Sequence, residues 1–152
     1  MASVTLNLYD VFRRKQASGV GAIDLAALTV KCMIVTGAYT VAQNTHDFAD
    51  DLGANEVSGT GYTAGGNVCA NAVVSLDGAG LVDVDFDDPA TWTQDAGGFT
   101  NGRRAIFYVD RGGAASADEL IGYSDDFGAD KGNVDGDFSV QVNAAGLFTS
   151  AR

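Results

Sequence analysis

The residues best equipped for chemistry are few, and their spacing assigns them no reaction. His46 is the only histidine in 152 residues. Neither a Gly-x-Ser-x-Gly elbow nor a Cys-His signature accompanies it. It reads as a polar residue in the first turn of a short helix. Cys32 and Cys69 are the only cysteines, and with one histidine they fall short of the close-spaced ligand pairs that structural zinc takes. Asp83, Asp85 and Asp87 open a calcium-loop pattern, but Asp88-Pro89 stand where that loop needs its glycine turn, and its last ligand position holds Gln94. Alternation with Val84 and Phe86 explains the same residues more simply, as carboxylates on the wet face of a strand that discourage edge pairing. Asp125, Asp126, Asp130, Asp135 and Asp137 form a second acidic region with the same reading. Gly59-Thr-Gly-Tyr-Thr-Ala-Gly65 lacks the spacing of a dinucleotide fingerprint, and no Gly-Lys-Ser/Thr follows it. It reads as a turn between strands. No catalytic residue, cofactor or metal is assigned.

The elements that position these residues read as strands. In Ser3 to Leu8, Val4, Leu6 and Leu8 share one face. So do Leu28, Val30, Cys32 and Ile34, and then Val68, Ala70, Ala72, Val74 and Leu76 within one run from Asn67 to Leu76. Val82, Val84 and Phe86 alternate with aspartates, and Phe138, Val140 and Val142 with polar residues. Period-two alternation of this kind marks antiparallel strands with one buried and one wet face. Ala105 to Val109 is apolar on both faces and reads as a central strand, with Leu120 to Tyr123 its neighbour. On this pattern Cys32 lies on an apolar face and Cys69 on the wet face of its own strand, which argues against a disulfide. Asp10 is placed to cap a short helix over Val11 to Lys15 that ends near Gly19. Asn44 or Thr45 is placed to cap a second over His46 to Leu52, with Gly53 closing it.

Composition narrows the class. Hydrophobic residues make up 46%, enough for a folded core. Twenty glycines against a single proline, Pro89, imply many tight turns. The expectation is an all-β chain, one antiparallel β-sandwich or jelly-roll-like domain over residues 1–152 with one or two short connecting helices. A net charge of −11 repels phosphate backbones and anionic lipid, so neither nucleic acid nor a membrane surface is an expected partner. No run of about 18 apolar residues is present. The start lacks a basic region followed by an apolar one, so synthesis in a cytoplasm is expected.

Several segments together resemble a family of small tailed-bacteriophage virion proteins. They are Tyr39 to Phe48, Ala54-Asn-Glu-Val-Ser-Gly-Thr-Gly-Tyr-Thr-Ala-Gly-Gly66, Ala90-Thr-Trp-Thr93, Ala105 to Val109, Leu120-Ile-Gly-Tyr123 with Asp126 to Lys131, Gly136 to Val142 and Ala145 to Thr149. The likeness runs from about Val4 to Thr149, and the glycine-rich run ending at Gly66 is its most specific part. The sequence departs from the family in its tail, Ser150-Ala-Arg152, and in its loop from Gly112 to Ala117.

The resemblance implies a non-enzymatic structural protein of the outer virion. The first expectation is a capsid decoration or cement protein, a homo-oligomer such as a trimer, that binds the major capsid protein or other virion proteins. Its expected contacts are the first strand with Val4 and Leu6, the basic Arg13-Arg14 connector, Tyr62 as an exposed aromatic, and Arg103-Arg104 as docking points for an acidic neighbour. The alternative is a neck, tail or fibre component that binds host glycan through Trp92, Tyr39 and Tyr123. A small envelope hydrolase dependent on His46 is the third.

Overall fold

A computed structural model of the chain describes residues 2–4, 6–76, 82–143 and 148–150, with side chains over 6–75 and 83–143. The chain is all-β with one short helix. Its strands are β1 (Ala2–Val4), β2 (Leu6–Leu8), β3 (Thr29–Thr36), β4 (Asn67–Cys69), β5 (Val73–Leu76), β6 (Val82–Asp85), β7 (Gly102–Asp110), β8 (Leu120–Ser124), β9 (Val140–Val142) and β10 (Phe148–Ser150). The helix α1 spans Asp10–Ser18.

Five strands form the main sheet in the order β2-β8-β7-β3-β4, and three more pair as β10-β6-β5. Every neighbour in these two sheets is antiparallel. The remaining pair, β1 with β9, is parallel, which departs from the antiparallel expectation. A parallel pair needs a crossover, and here nearly the whole chain lies between the two strands.

β7 is central, as its two apolar faces predict, and Ala105 to Val109 are all buried. It pairs with β3 from Thr29↔Asp110 to Val35↔Arg104. β3 differs from its expected half-wet pattern, because Cys32, Met33, Ile34 and Val35 are buried in succession. Its second face is covered by connecting segments that supply Ala49, Leu52 and Val57 to the same core. On the opposite face Phe86, just beyond β6, packs on Phe107 of β7 with ring centroids 5.7 Å apart. Burial of each such side chain contributes about 1.5–3 kcal/mol.

The run from Asn67 to Leu76 is two strands, not one. β4 belongs to the main sheet and β5 to the smaller one. The break is at Asn71, the one non-glycine residue with a positive φ among those described, at 53°. Asparagine tolerates this left-handed conformation better than most residues. Because β4 and β5 join different sheets, the alternation of one does not carry into the other. Before the break the odd position is buried, with Cys69 inside and Val68 exposed. After it the even position, Val74, shares the face of buried Val84, although Val74 itself is half-exposed.

α1 differs from its expected start, since Tyr9 and not Asp10 is its N-cap, with no side-chain cap bond, and Asp10 lies in the first turn; it ends at Gly19, which takes φ 69° and donates its N–H to the Lys15 carbonyl. Val11 and Phe12 are buried. The second expected helix is shorter than predicted, a single 3-10 turn over Ala49–Leu52. Its start is capped from inside, since Asp51 accepts hydrogen bonds from the backbone N–H groups of Asp47 and Phe48 at 2.7 and 3.1 Å. His46 therefore precedes this turn and does not belong to a helix.

Candidate functional site

His46 is tied to the core through tyrosines. Tyr9 Oη and Tyr39 Oη lie 2.8 Å apart, and Tyr39 Oη lies 2.7 Å from His46 Nδ1. Burial raises the Tyr9 phenol well above its usual range, and the hydrogen bond with Tyr39 adds to the rise. The chain of three polar groups joins the segment before α1 to the Tyr39–His46 loop. Gln43 completes the join, with its Nε2 donating to the Leu8 carbonyl at 2.9 Å and its own carbonyl accepting from the Asp10 N–H at 2.9 Å.

The two thiols are free and buried. The ladder places Cys69 opposite Val30 and Cys32 opposite Asn67. Both sulfurs therefore lie on one face of the sheet as diagonal neighbours, which overturns the expectation that they point to different sides. The expectation read 67–76 as one strand, whereas the chain breaks at Asn71 and β4 has its own face pattern. Diagonal positions sit about 7–8 Å apart, wider than a disulfide normally spans. Burial pushes the Cys69 thiol up to about 12, helped by nearby Asp88, and pushes Cys32 up as well.

Tyr62 is not an exposed anchor. Its hydroxyl donates to Glu56 Oε1 at 2.8 Å and accepts from the Ile34 N–H at 3.0 Å. Its ring stacks on Trp92 at 5.9 Å and meets the edge of Phe99 at 5.5 Å. Burial, then the Glu56 carboxylate, raises its phenol far above the ordinary range. The glycine-rich loop turns back on β3 here, so that Val57 N–H bonds the Ile34 carbonyl at 3.0 Å. A side chain at Gly66 would collide with the Cys32 carbonyl. The specific run is thus a brace against β3, and its aromatic residue faces inward.

Arg103 and Arg104 also turn back on their own chain. Arg103 pairs with Asp126 at 2.7 Å and with Asp130 at 3.4 Å. Arg104 donates to the Ser124 carbonyl at 3.0 Å and lies 4.0 Å from Asp126. These bonds pin the loop after β8 to β7, so neither guanidinium is a free docking point. The second acidic region supplies these partners. Arg13 and Arg14 are exposed on α1, and Arg13 makes only a 3.5 Å contact to Asp10. Leu6 is half-buried in β2 and packs on the core above Gly122, where a side chain would strike it. The backbone of Val4 lies in β1, and its side chain is outside the described residues.

Trp92 and Tyr39 are buried and Tyr123 is half-buried against Tyr9, 5.0 Å between rings. Two of the three aromatics named for glycan stacking are thus core residues. Among the described residues no group of three His, Cys, Asp or Glu is arranged to hold a metal ion. No helix is long and apolar enough to cross a membrane among those residues. A shallow depression of about 270 Å³ lies over Met33, Leu52 and Tyr108, with Glu56 and Asp118 at its margin. Two of its three carboxylates are engaged, Glu56 by Tyr62 and the Gly65 N–H, Asp118 by the Arg111 N–H at 2.9 Å, and the third is Asp50.

The residue that sequence reading missed is Asn133. It is fully buried. Its Oδ1 accepts from the Phe99 N–H at 3.0 Å, and its Nδ2 donates to the carbonyls of Thr93 and Thr60 at 2.8 and 3.3 Å. One amide staples three loops. The only local signal is a cluster of glycines in the facing segments, since side chains at Gly98 or Gly132 would clash with Asn133 or Phe99.

Besides Arg13 and Arg14, some apolar side chains are available for contact. Val20 is 78% exposed, and Val68, Val73 and Val74 are 48–53% exposed. The last three bracket the break at Asn71. No protein-family model, no curated protein and no solved structure matches this chain.

Proposed function

We propose that the chain is a non-enzymatic structural component of a tailed-phage particle, a decoration or cement protein that binds the major capsid protein on the outer shell. The observation that carries this reading is the run of half-exposed valines at 68, 73 and 74 on a chain of net charge −11. Half-exposed aliphatic side chains on both faces of β5 and on nearby β4, in an otherwise charged protein, offer a contact site. The glycine-rich run that resembles the virion family supports it, because that run braces a rigid body suited to docking. The contact of Phe86 with Phe107 supports a two-layer sandwich as the form of that body. One such patch is modest, and many copies on one shell add through effective concentration.

Mass spectrometry of purified particles tests the reading. A decoration protein appears in a fixed multiple close to the copy number of the major capsid protein. A few copies per particle assigns the chain to the neck, tail or fibre instead. Absence from the particle refutes a virion role altogether.

A further inference from the structure

We propose that β5 is a docking edge for an extended segment of a basic partner protein, in which lysine or arginine alternates with aliphatic residues. The proposal rests on the reading of the chain as a particle component and names the chemistry of its neighbour. β5 is the last strand in the order β10-β6-β5. One row of its backbone donors and acceptors therefore has no ladder partner among the described residues. Such edges are templates for an added strand, and natural proteins usually guard them with charge, proline or a bulge. Val73-Val-Ser-Leu76 carries no charge and no proline.

The side chains show which strand would fit. Val74 and Val84 stand opposite each other in the ladder, on one face of the sheet. Val84 is 3% exposed and Val74 48%. The ladder accounts for the difference, since β6 has a strand on each side and β5 on one side only. An aliphatic residue on an added strand would cover Val74. On the other face Val73 pairs with Asp85 and Ser75 with Asp83. Neither aspartate has a cation among the described residues. Neighbouring strands lie about 4.8 Å apart, so a lysine on an added strand reaches across Val73 or Ser75 to these carboxylates. The same charges disfavour a second copy. The chain is strongly acidic, and Lys15, Lys31, Arg103, Arg104 and Arg111 are already paired internally. Backbone hydrogen bonds would supply affinity and the alternating side chains specificity, as in other strand-addition complexes.

A fluorescent synthetic peptide alternating lysine and valine is the probe, with a glutamate-valine peptide as its counterpart. Binding is read by anisotropy and its location by amide hydrogen exchange of the full chain. The lysine peptide is expected to bind and to slow exchange across residues 73–76 while leaving α1 unchanged. The double variant D83N/D85N should weaken binding about fivefold, in keeping with two exposed ion pairs. Val74→Lys should abolish it, and circular dichroism verifies that both variants stay folded. Equal binding of the two peptides, exchange unchanged at β5, or no binding overturns the proposal. Protection of β5 on raising the concentration of the chain alone also overturns it, because the occupant is then a second copy. None of these outcomes bears on whether the chain is found in purified particles, so the two readings fail separately.

Discussion

Replacement of Asn133 by alanine should destabilise the fold by about 3 kcal/mol. The magnitude follows from what its amide satisfies. The Phe99 N–H belongs to a buried residue and loses its partner outright, which costs about 1–3 kcal/mol. The carbonyls of Thr93 and Thr60 belong to exposed residues, so water replaces much of each lost bond. These two contribute about 0.5–1 kcal/mol apiece. At this chain length a loss of about 3 kcal/mol lowers Tm by roughly 6–12 °C. Asn133→Asp keeps the acceptor for Phe99 but turns a carboxylate toward two carbonyls, and it should cost at least as much at neutral pH. The sole tryptophan, Trp92, is buried and stacked on Tyr62 beside these loops, so its fluorescence reports urea unfolding directly. A midpoint shift in both variants equivalent to less than about 1 kcal/mol, with the denaturant slope unchanged, would refute the staple.

Other outcomes follow from the same coordinates. Gly66→Ala should unfold or severely destabilise the chain, because φ is +72° and the added carbon meets the Cys32 carbonyl, whereas Gly113→Ala points into open space and should leave stability within about 0.5 kcal/mol of the parent; thermal melts compare them. Cys32 and Cys69 should resist a thiol reagent at pH 8 in the folded chain and react together on denaturation, as an absorbance assay will show. Acid should destabilise the fold. The Lys31 ammonium and the Gly112 N–H hold the Asp110 carboxyl below the usual range, and Arg103 and the Gly128 N–H do the same for Asp126. Stability from these lowered groups is fully present above the ordinary carboxylate value near about 4 and is lost as pH falls through their folded values. Asp110→Asn should therefore flatten the dependence of the urea midpoint on pH below about 4, and an unchanged slope contradicts the pairing.

Much of the fold is legible in residue order, because burial imposes local periodicity. The apolar run Ala105 to Val109 announces a central strand, and Val82, Val84 and Phe86 announce one with a wet acidic face. Gly19 marks the end of α1 because a helix there closes on a left-handed residue. The misreadings come from features with no local period. A single residue at Asn71 divides an apparent strand between two sheets and reverses which cysteine face is buried. Tyr62 resembles an exposed anchor until the glycine loop folds it against Trp92, and Arg103 resembles a docking point until the loop after β8 delivers Asp126 and Asp130 to it.

The sequence by itself thus determined the class of structure and the sign of its surface, since alternation and net charge are sums over near neighbours along the chain. Only the tertiary structure decided which polar groups are consumed inside the fold and which edge is left open. Those outcomes depend on residues far apart in sequence, as with Asn133 and Thr60 or Arg103 and Asp126. Their meeting is set by sheet order, and one break in a strand, as at Asn71, is enough to change it.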